Sequence, residues 1–323
     1  MSDWHAFRRL AGRAGSKLIP PRGSSAESVA RLHPTEGTSR VKIGALAALA
    51  FLLATLPALS ARAGSGRVFS VHCLRIDHKA PDDPIVHPND PGDSHMHSFS
   101  GNTTTNAYST YRSMVGKPTT CKLSADTSGY WVPTMYDSSG KVVPVRGFNA
   151  YYRSWGSFTR FTPFPKDFRL IAGGSTLDAP RLGAGNAAVG YDCVETDPYL
   201  PTPPNCGSLW VKAHVVFPTC WDGVHTDSAD HRSHVVYPVG GGCPADHPVP
   251  LPRLSLHITY SIHDGRGLSL SSDKMGLPRG ATLHADFWNT WNQAALETLV
   301  NKCLNHAPAV SCLDVDNSTF AAL

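Results

Sequence analysis

The familiar signatures of catalysis are missing from this 323-residue chain. It has no H-E-x-x-H, no G-x-S-x-G and no phosphate-binding glycine loop, so zincin, nucleophile-elbow and P-loop chemistries have no foothold. None of its eight cysteines stands in a C-x-x-C pair, which argues against a zinc ribbon or a thioredoxin-type redox motif. No low-complexity linker or internal repeat divides it. A lasting surplus of positive charge is also missing. Residues 1–63 hold nine of the 29 basic and three of the 25 acidic groups, so the remainder carries 20 basic against 22 acidic. With no basic patch left, no nucleic-acid partner is expected.

Residues 1–63 read as a leader with a secretory signal peptide. Arg40 and Lys42 precede an apolar run from Ile43 to Leu59 broken by Thr55 and Pro57, and Ala61-Arg62-Ala63 offers an A-x-A cleavage pattern before Gly64. The run is near the length of a short membrane span, but Pro57 and the cleavage pattern favour export over a retained anchor. The expectation is a single secreted domain over 64–323, with no membrane attachment after cleavage. A mature terminus at Gly64 excludes the histidine-brace copper monooxygenases, which need histidine there. All eight cysteines follow the leader, and an even count in an exported chain reads as disulfides. Proximity suggests Cys193–Cys206, Cys220–Cys243 and Cys303–Cys312, leaving Cys73–Cys121.

Short runs with strand character lie between scattered Gly and Pro: Arg67 to Ile76, Tyr130 to Tyr136, Val142 to Tyr152, Leu209 to Phe217, Ser233 to Tyr237 and Leu254 to Ile262. In the last, Leu254, Leu256, Ile258 and Tyr260 fall on one face. The pattern predicts an all-β fold, mainly an antiparallel sandwich or jelly roll, with long loops. One C-terminal helix is predicted over Ala285 to Leu304, where Trp288, Trp291, Ala295, Leu299 and Cys303 form a stripe.

Chemistry concentrates in histidines beside carboxylates. His95 and His97, two residues apart, point to the same side of an extended strand. They follow a turn-rich run from Asp83 to Asp93. Three further groups are Asp222 with His225, the run Asp227 to His234, and His284 with Asp286. His95, His97, Asp222, Asp230, His231, His234, His284 and Asp286 are the catalytic candidates. His231 or His234 is the expected general base, with Asp222 or Asp230 to orient it. Asn102, Trp131, Trp221, Arg232 and Tyr260 are the candidates for holding substrate. His95 and His97 would serve as acid, as substrate donors or as metal ligands; in the last role they would hold a divalent metal with His231 or His234, since H-x-H plus a distant ligand supplies three donors. Asn102-Thr103-Thr104 and Asn317-Ser318-Thr319 are sequons.

Together the segments Asp83-Pro84-Ile85-Val86, Ser94-His95-Met96-His97 with Gly101-Asn102, Tyr130-Trp131-Val132-Pro133, Cys220-Trp221-Asp222-Gly223, Asp230-His231-Arg232-Ser233-His234, Cys243-Pro244, Pro248 to Pro252, and His284-Ala285-Asp286-Phe287 with Trp291 resemble DUF1996, a secreted family of unknown function. The resemblance spans about residues 70–304 in order and interval. It departs at Ser100, where many relatives carry a second Phe after Phe99. It favours a site role for Asn102. Such proteins are exported by bacteria and fungi, often beside cell-wall or carbohydrate-binding modules, which implies polysaccharide surroundings but no activity. The expectation is an enzyme cleaving an extracellular or cell-wall polysaccharide, by hydrolysis or β-elimination. The alternatives are a non-catalytic wall-binding module and a metal-binding exoprotein.

Overall fold

The computed structural model describes residues 66–182, 186–193, 199–306 and 311–323. The expected leader over 1–63 lies outside them. The principal strands in chain order are β1 (Val68–Cys73), β2 (His78–Ala80), β3 (His97–Gly101), β4 (Gly129–Pro133), β5 (Val145–Arg153), β6 (Arg169–Gly173), β7 (Val189–Asp192), β8 (Lys212–Val216), β9 (Arg253–Tyr260), β10 (His284–Trp288) and β11 (Ser311–Cys312). One sheet runs β7-β8-β9-β5-β1-β11 and the other β2-β3-β4-β10-β6. All neighbours are antiparallel except β1 and β11.

The predicted alternation sets the packing. Leu254, Leu256 and Ile258 of β9 stand opposite Tyr152, Ala150 and Phe148 of β5, and all six are fully buried. They meet Tyr130, Val132, Leu170, Ala172, Ala285 and Phe287 of the second sheet in one continuous core. That is the two-layer sandwich the pattern predicts. A polar chain runs through the core. Trp291 Nε1 donates to the Tyr152 hydroxyl (3.1 Å), the two tyrosine hydroxyls lie 2.8 Å apart, and Tyr130 donates to Asp126 Oδ2 (2.8 Å). Burial pushes the Asp126 carboxyl up to about 7, against the hydrogen bonds from Tyr130 and Ser128.

The helix differs from expectation. Residues 284–288 form β10, and the helix α1 spans only Gln293–Leu299, continuing as a π turn over Val300–Leu304. Asn292 caps it by accepting from the Ala295 amide. Every residue of the predicted stripe is buried, but Trp288 is buried as a strand residue. A strand flanked by β4 and β6 and covered on both faces has no polar face, and periodicity cannot tell it from a buried helix. The four disulfides are Cys193–Cys206, Cys220–Cys243 and Cys303–Cys312, as proximity predicted, and Cys73–Cys121, the pair that remained. Among the described residues no helix is long and apolar enough to cross a membrane.

A three-histidine candidate functional site

The outer face of the second sheet builds the site. Ala80, His97 and Pro133 stand in register across β2, β3 and β4. Trp131 of β4 stands opposite Asp286 of β10; continuing that register sets Pro133 opposite His284, which pairs with Gly173 of β6. His97 and His284 therefore flank Pro133, about 10 Å apart at two strand spacings. Their imidazoles lean together over the small ring between them. One row along the strands lie Phe99, Trp131, Asp286 and Ile171. Phe99, Trp131 and Ile171 join Ile85, Met114 and Trp288 in a second apolar cluster beneath the loops. Asp286 is the carboxylate in that row.

His95 enters from the loop before β3, a tight structure. Asp83 Oδ1 accepts the Ile85 and Val86 amides, Pro81 O accepts the Gly92 and Ser94 amides, and His87 pairs with Asp93 at 2.8 Å. The result is a triangle of ring nitrogens. His95 Nε2 lies 3.2 Å from His284 Nε2, and His97 Nε2 lies 3.3 Å from the same atom. One nitrogen from each of the three residues falls within 4.8 Å of the others.

Hydrogen bonds to the backbone settle two of the tautomers. His97 Nδ1 lies 2.9 Å from Asp82 O, and His284 Nδ1 lies 2.9 Å from Thr282 O. A carbonyl only accepts, so both Nδ1 atoms carry protons and both Nε2 atoms present lone pairs to each other. Burial, with the neighbouring imidazoles, lowers the pKa of His97 and of His284 to about 3. His95 is lowered too, chiefly by burial. The cluster is thus a trio of neutral donors at neutral pH, the state in which imidazole binds a metal. Asp286 sits beside it, 1 % exposed, with neither carboxylate oxygen hydrogen-bonded among the described residues. Burial and the nearby Asp83 push its pKa well up, and Arg232 pulls it back. Asp83, His97 and Asp286 form a second set of ligand atoms within 4.8 Å of one another.

His95, His284 and Asp286 line a cavity of about 440 Å³, and Asp230, His231 and Arg232 line it as well. The loop that carries them is closed by Cys220–Cys243. His231 holds a left-handed backbone, φ 56°, which strains a residue with a Cβ and signals a fixed position. Its Nδ1 lies 2.8 and 3.0 Å from the two oxygens of Asp227, which also pairs with Arg169 at 3.0 Å. Asp227 therefore holds the proton on Nδ1 and leaves Nε2 as the proton-accepting atom.

Other candidates fall elsewhere. His234 is buried outside this cavity, with Nε2 2.8 Å from Arg169 O and Nδ1 2.9 Å from Ser228 Oγ. Both nitrogens are committed, one to β6 and one to the loop, so neither faces the cavity. The third ring nitrogen of the triangle belongs to His284, and among the described residues no ligand distance joins His231 to it. Asp222 lines a neighbouring depression with His234 and braces a turn, accepting the Val224 and His225 amides and pairing with His225 at 2.7 Å. Asp230 does line the cavity, but Oδ1 accepts from Arg232 N, Ser233 N and two serine hydroxyls. Those bonds hold its carboxyl well below the usual range. It shapes the loop; Asp227 orients His231.

Asn102, Trp131 and Tyr260 are core residues, not substrate contacts. The Asn102 amide donates to Met114 O and Thr127 O while its oxygen accepts from Thr104; buried in this way, the first sequon offers no accessible acceptor. Trp221 packs edge-on against Phe168 and donates to His225 O, away from the cavity lining. Arg232 alone of the five predicted contacts lines it. Asp83 and Lys274, which line the cavity, and Asp227, which holds His231, lie outside the expected set. Asp227 had a signal, since it stands four residues before His231 at the head of its own cluster.

The family model described as a domain of unknown function, DUF1996, matches residues 83–291. The chain belongs to this family. The match runs from Asp83 to Trp291 and so encloses the triangle, Asp286 and the Asp227–His231 pair. No curated protein and no solved structure matches the chain.

Proposed function

We propose that the protein is a secreted enzyme that hydrolyses an extracellular or cell-wall polysaccharide at the cavity above the three histidines. One observation carries this reading: residues 95–97, 230–232 and 284–286, far apart in sequence, supply the walls of one cavity. Two features there have complementary tasks. The three-histidine centre with Asp286 activates the attacking water. His231, oriented by Asp227, exchanges the proton of the leaving oxygen across the cavity. Arg232 holds polar groups of the substrate. The lining favours a hydroxyl-rich ligand, since Val86 and Ile171 are its only apolar side chains. Four disulfides suit an oxidising, extracellular setting.

A panel of wall and extracellular polysaccharides, read by product size, reducing ends and absorbance of unsaturated ends, tests the proposal. New reducing ends without absorbance are expected, with His231→Ala slowing release by about 10²- to 10⁴-fold, the usual scale of a lost acid–base group. Absorbance would mean elimination, and binding without products would mean a wall-binding module; either result overturns hydrolysis.

A further inference from the structure

We propose that His95, His97 and His284 form a mononuclear site for a divalent transition-metal ion of the zinc type, its open coordination position facing the cavity. Geometry carries this. A tetrahedral zinc ion bonded to imidazole at about 2.0–2.1 Å spaces its nitrogen donors about 3.3 Å apart. The two Nε2 separations are 3.2 and 3.3 Å. Hydrogen bonding alone does not explain such spacing. With the His97 and His284 protons committed to Asp82 O and Thr282 O, only His95 has a proton to place among three converging nitrogens. At least one lone pair then faces another at contact distance, a repulsion that a central cation converts into three bonds.

The surroundings match a metal centre in kind. Metal-bound histidines donate their second ring N–H to a carbonyl or carboxylate, which fixes ring and tautomer; two of the three do so here. The donors come from β3, its entry loop and β10, elements held rigid by the sheet. His97 is fully buried beneath, while His95 and His284 face the cavity, so a fourth ligand enters from the substrate side, as catalytic zinc sites require. Imidazole donors with an adjacent carboxylate suit zinc and its neighbours better than calcium or magnesium, which demand oxygen cages. Asp286, buried with unmet hydrogen-bonding capacity, lies one row along the strands from His284. Among other groupings, Cys73 and Cys121 lie near Asp126, but those two sulfurs are joined to each other and offer no thiolate.

The ion would lower the pKa of its bound water and make hydroxide available near neutrality. That role rests on the hydrolytic reading above; binding of the ion does not. The test uses the full secreted protein, stripped with chelator and titrated calorimetrically with Zn²⁺. One ion per chain is expected. His97→Ala and His284→Ala should each weaken binding by at least about 100-fold, the upper end of what a lost supporting contact alone costs. His225→Ala, a surface histidine outside the cavity, should bind as wild type. Should the histidine variants misfold, X-ray absorption on the unaltered Zn²⁺ complex keeps the proposal exposed: three imidazole nitrogens at about 2.0–2.1 Å are expected. No stoichiometric binding, equal loss in His225→Ala, or a shell with fewer than three imidazoles overturns it. Cleavage that persists without any bound ion overturns the ion's role in hydrolysis while leaving the cavity reading intact. A bound ion with no polysaccharide cleaved defeats the hydrolytic reading and leaves the metal site standing.

Discussion

At the residue scale, the same buried environment produces opposite electrostatic outcomes. In the triangle, burial keeps bases neutral by refusing protons; in the core, it keeps Asp126 neutral by retaining one. The consequence for Asp126 is a stability term with a definite sign. Its folded pKa, about 7, lies above its ordinary value of 3.8. That contribution is fully present below pH 3.8 and is lost as pH rises through 7, by up to about 1.4 kcal/mol per pH unit. His97 and His284 work the other way. Their depressed pKa values favour the folded chain above pH 6.5, an advantage lost as pH falls toward 3. Asp126→Asn removes only the first effect. Thermal melts of wild type and variant between pH 4 and 7 should diverge, with the variant holding its melting temperature better toward pH 7. Parallel pH profiles would show that Asp126 ionises normally in the core.

At the scale of single elements, the position of β10 decides whether the site exists. Gly173 of β6 pairs with His284 and has φ +86°. A Cβ there would stand 2.5 Å from Leu283 O and 2.9 Å from the His284 Cα, and neither backbone atom can move without shifting the strand. Gly173→Ala should cost about 1–3 kcal/mol, through left-handed strain and this clash. It should also weaken Zn²⁺ binding, because His284 is displaced. Denaturant titration and calorimetry would check both; unchanged ion affinity would mean that the triangle does not depend on this register.

What the sequence displays follows from the same geometry. The alternation in β9 and the common side of His95 and His97 are local consequences of a two-residue repeat. Three of the disulfides follow from proximity along the chain, and the fourth is the pair they leave. The partnership of His97 with His284 did not, because it is made across an intervening strand, and strand order leaves no local mark. The helical periodicity of Trp288, Trp291 and Ala295 masked β10 itself. Trp131 and Tyr260 differ from expectation for a related reason. An aromatic residue on a strand looks the same whichever layer covers it, and these are covered by protein. Asp227 takes the place expected for Asp222 or Asp230, whose carboxylates hold loop amides instead.

On the scale of the whole molecule, a disulfide-stapled sandwich carries the proposed centre on the outer face of one sheet. The sheet supplies two of the three histidines and Asp286, while the loop closed by Cys220–Cys243 supplies His231 and Arg232. The two walls are held by different means and should separate experimentally. Replacing both Cys220 and Cys243 by Ala should cost about 3 kcal/mol in chain entropy. It should lower polysaccharide turnover by loosening the loop while leaving one ion per chain. Loss of the ion in that variant would mean that the loop, not the sheet, organises the centre. The central claim is that three imidazoles share one metal ion. Its most direct test is anomalous diffraction at the zinc absorption edge from crystals of the Zn²⁺-loaded protein. A single strong peak is expected about 2.0–2.1 Å from Nε2 of His95, His97 and His284, open to the cavity. A peak on other residues, or none at the triangle, would contradict it.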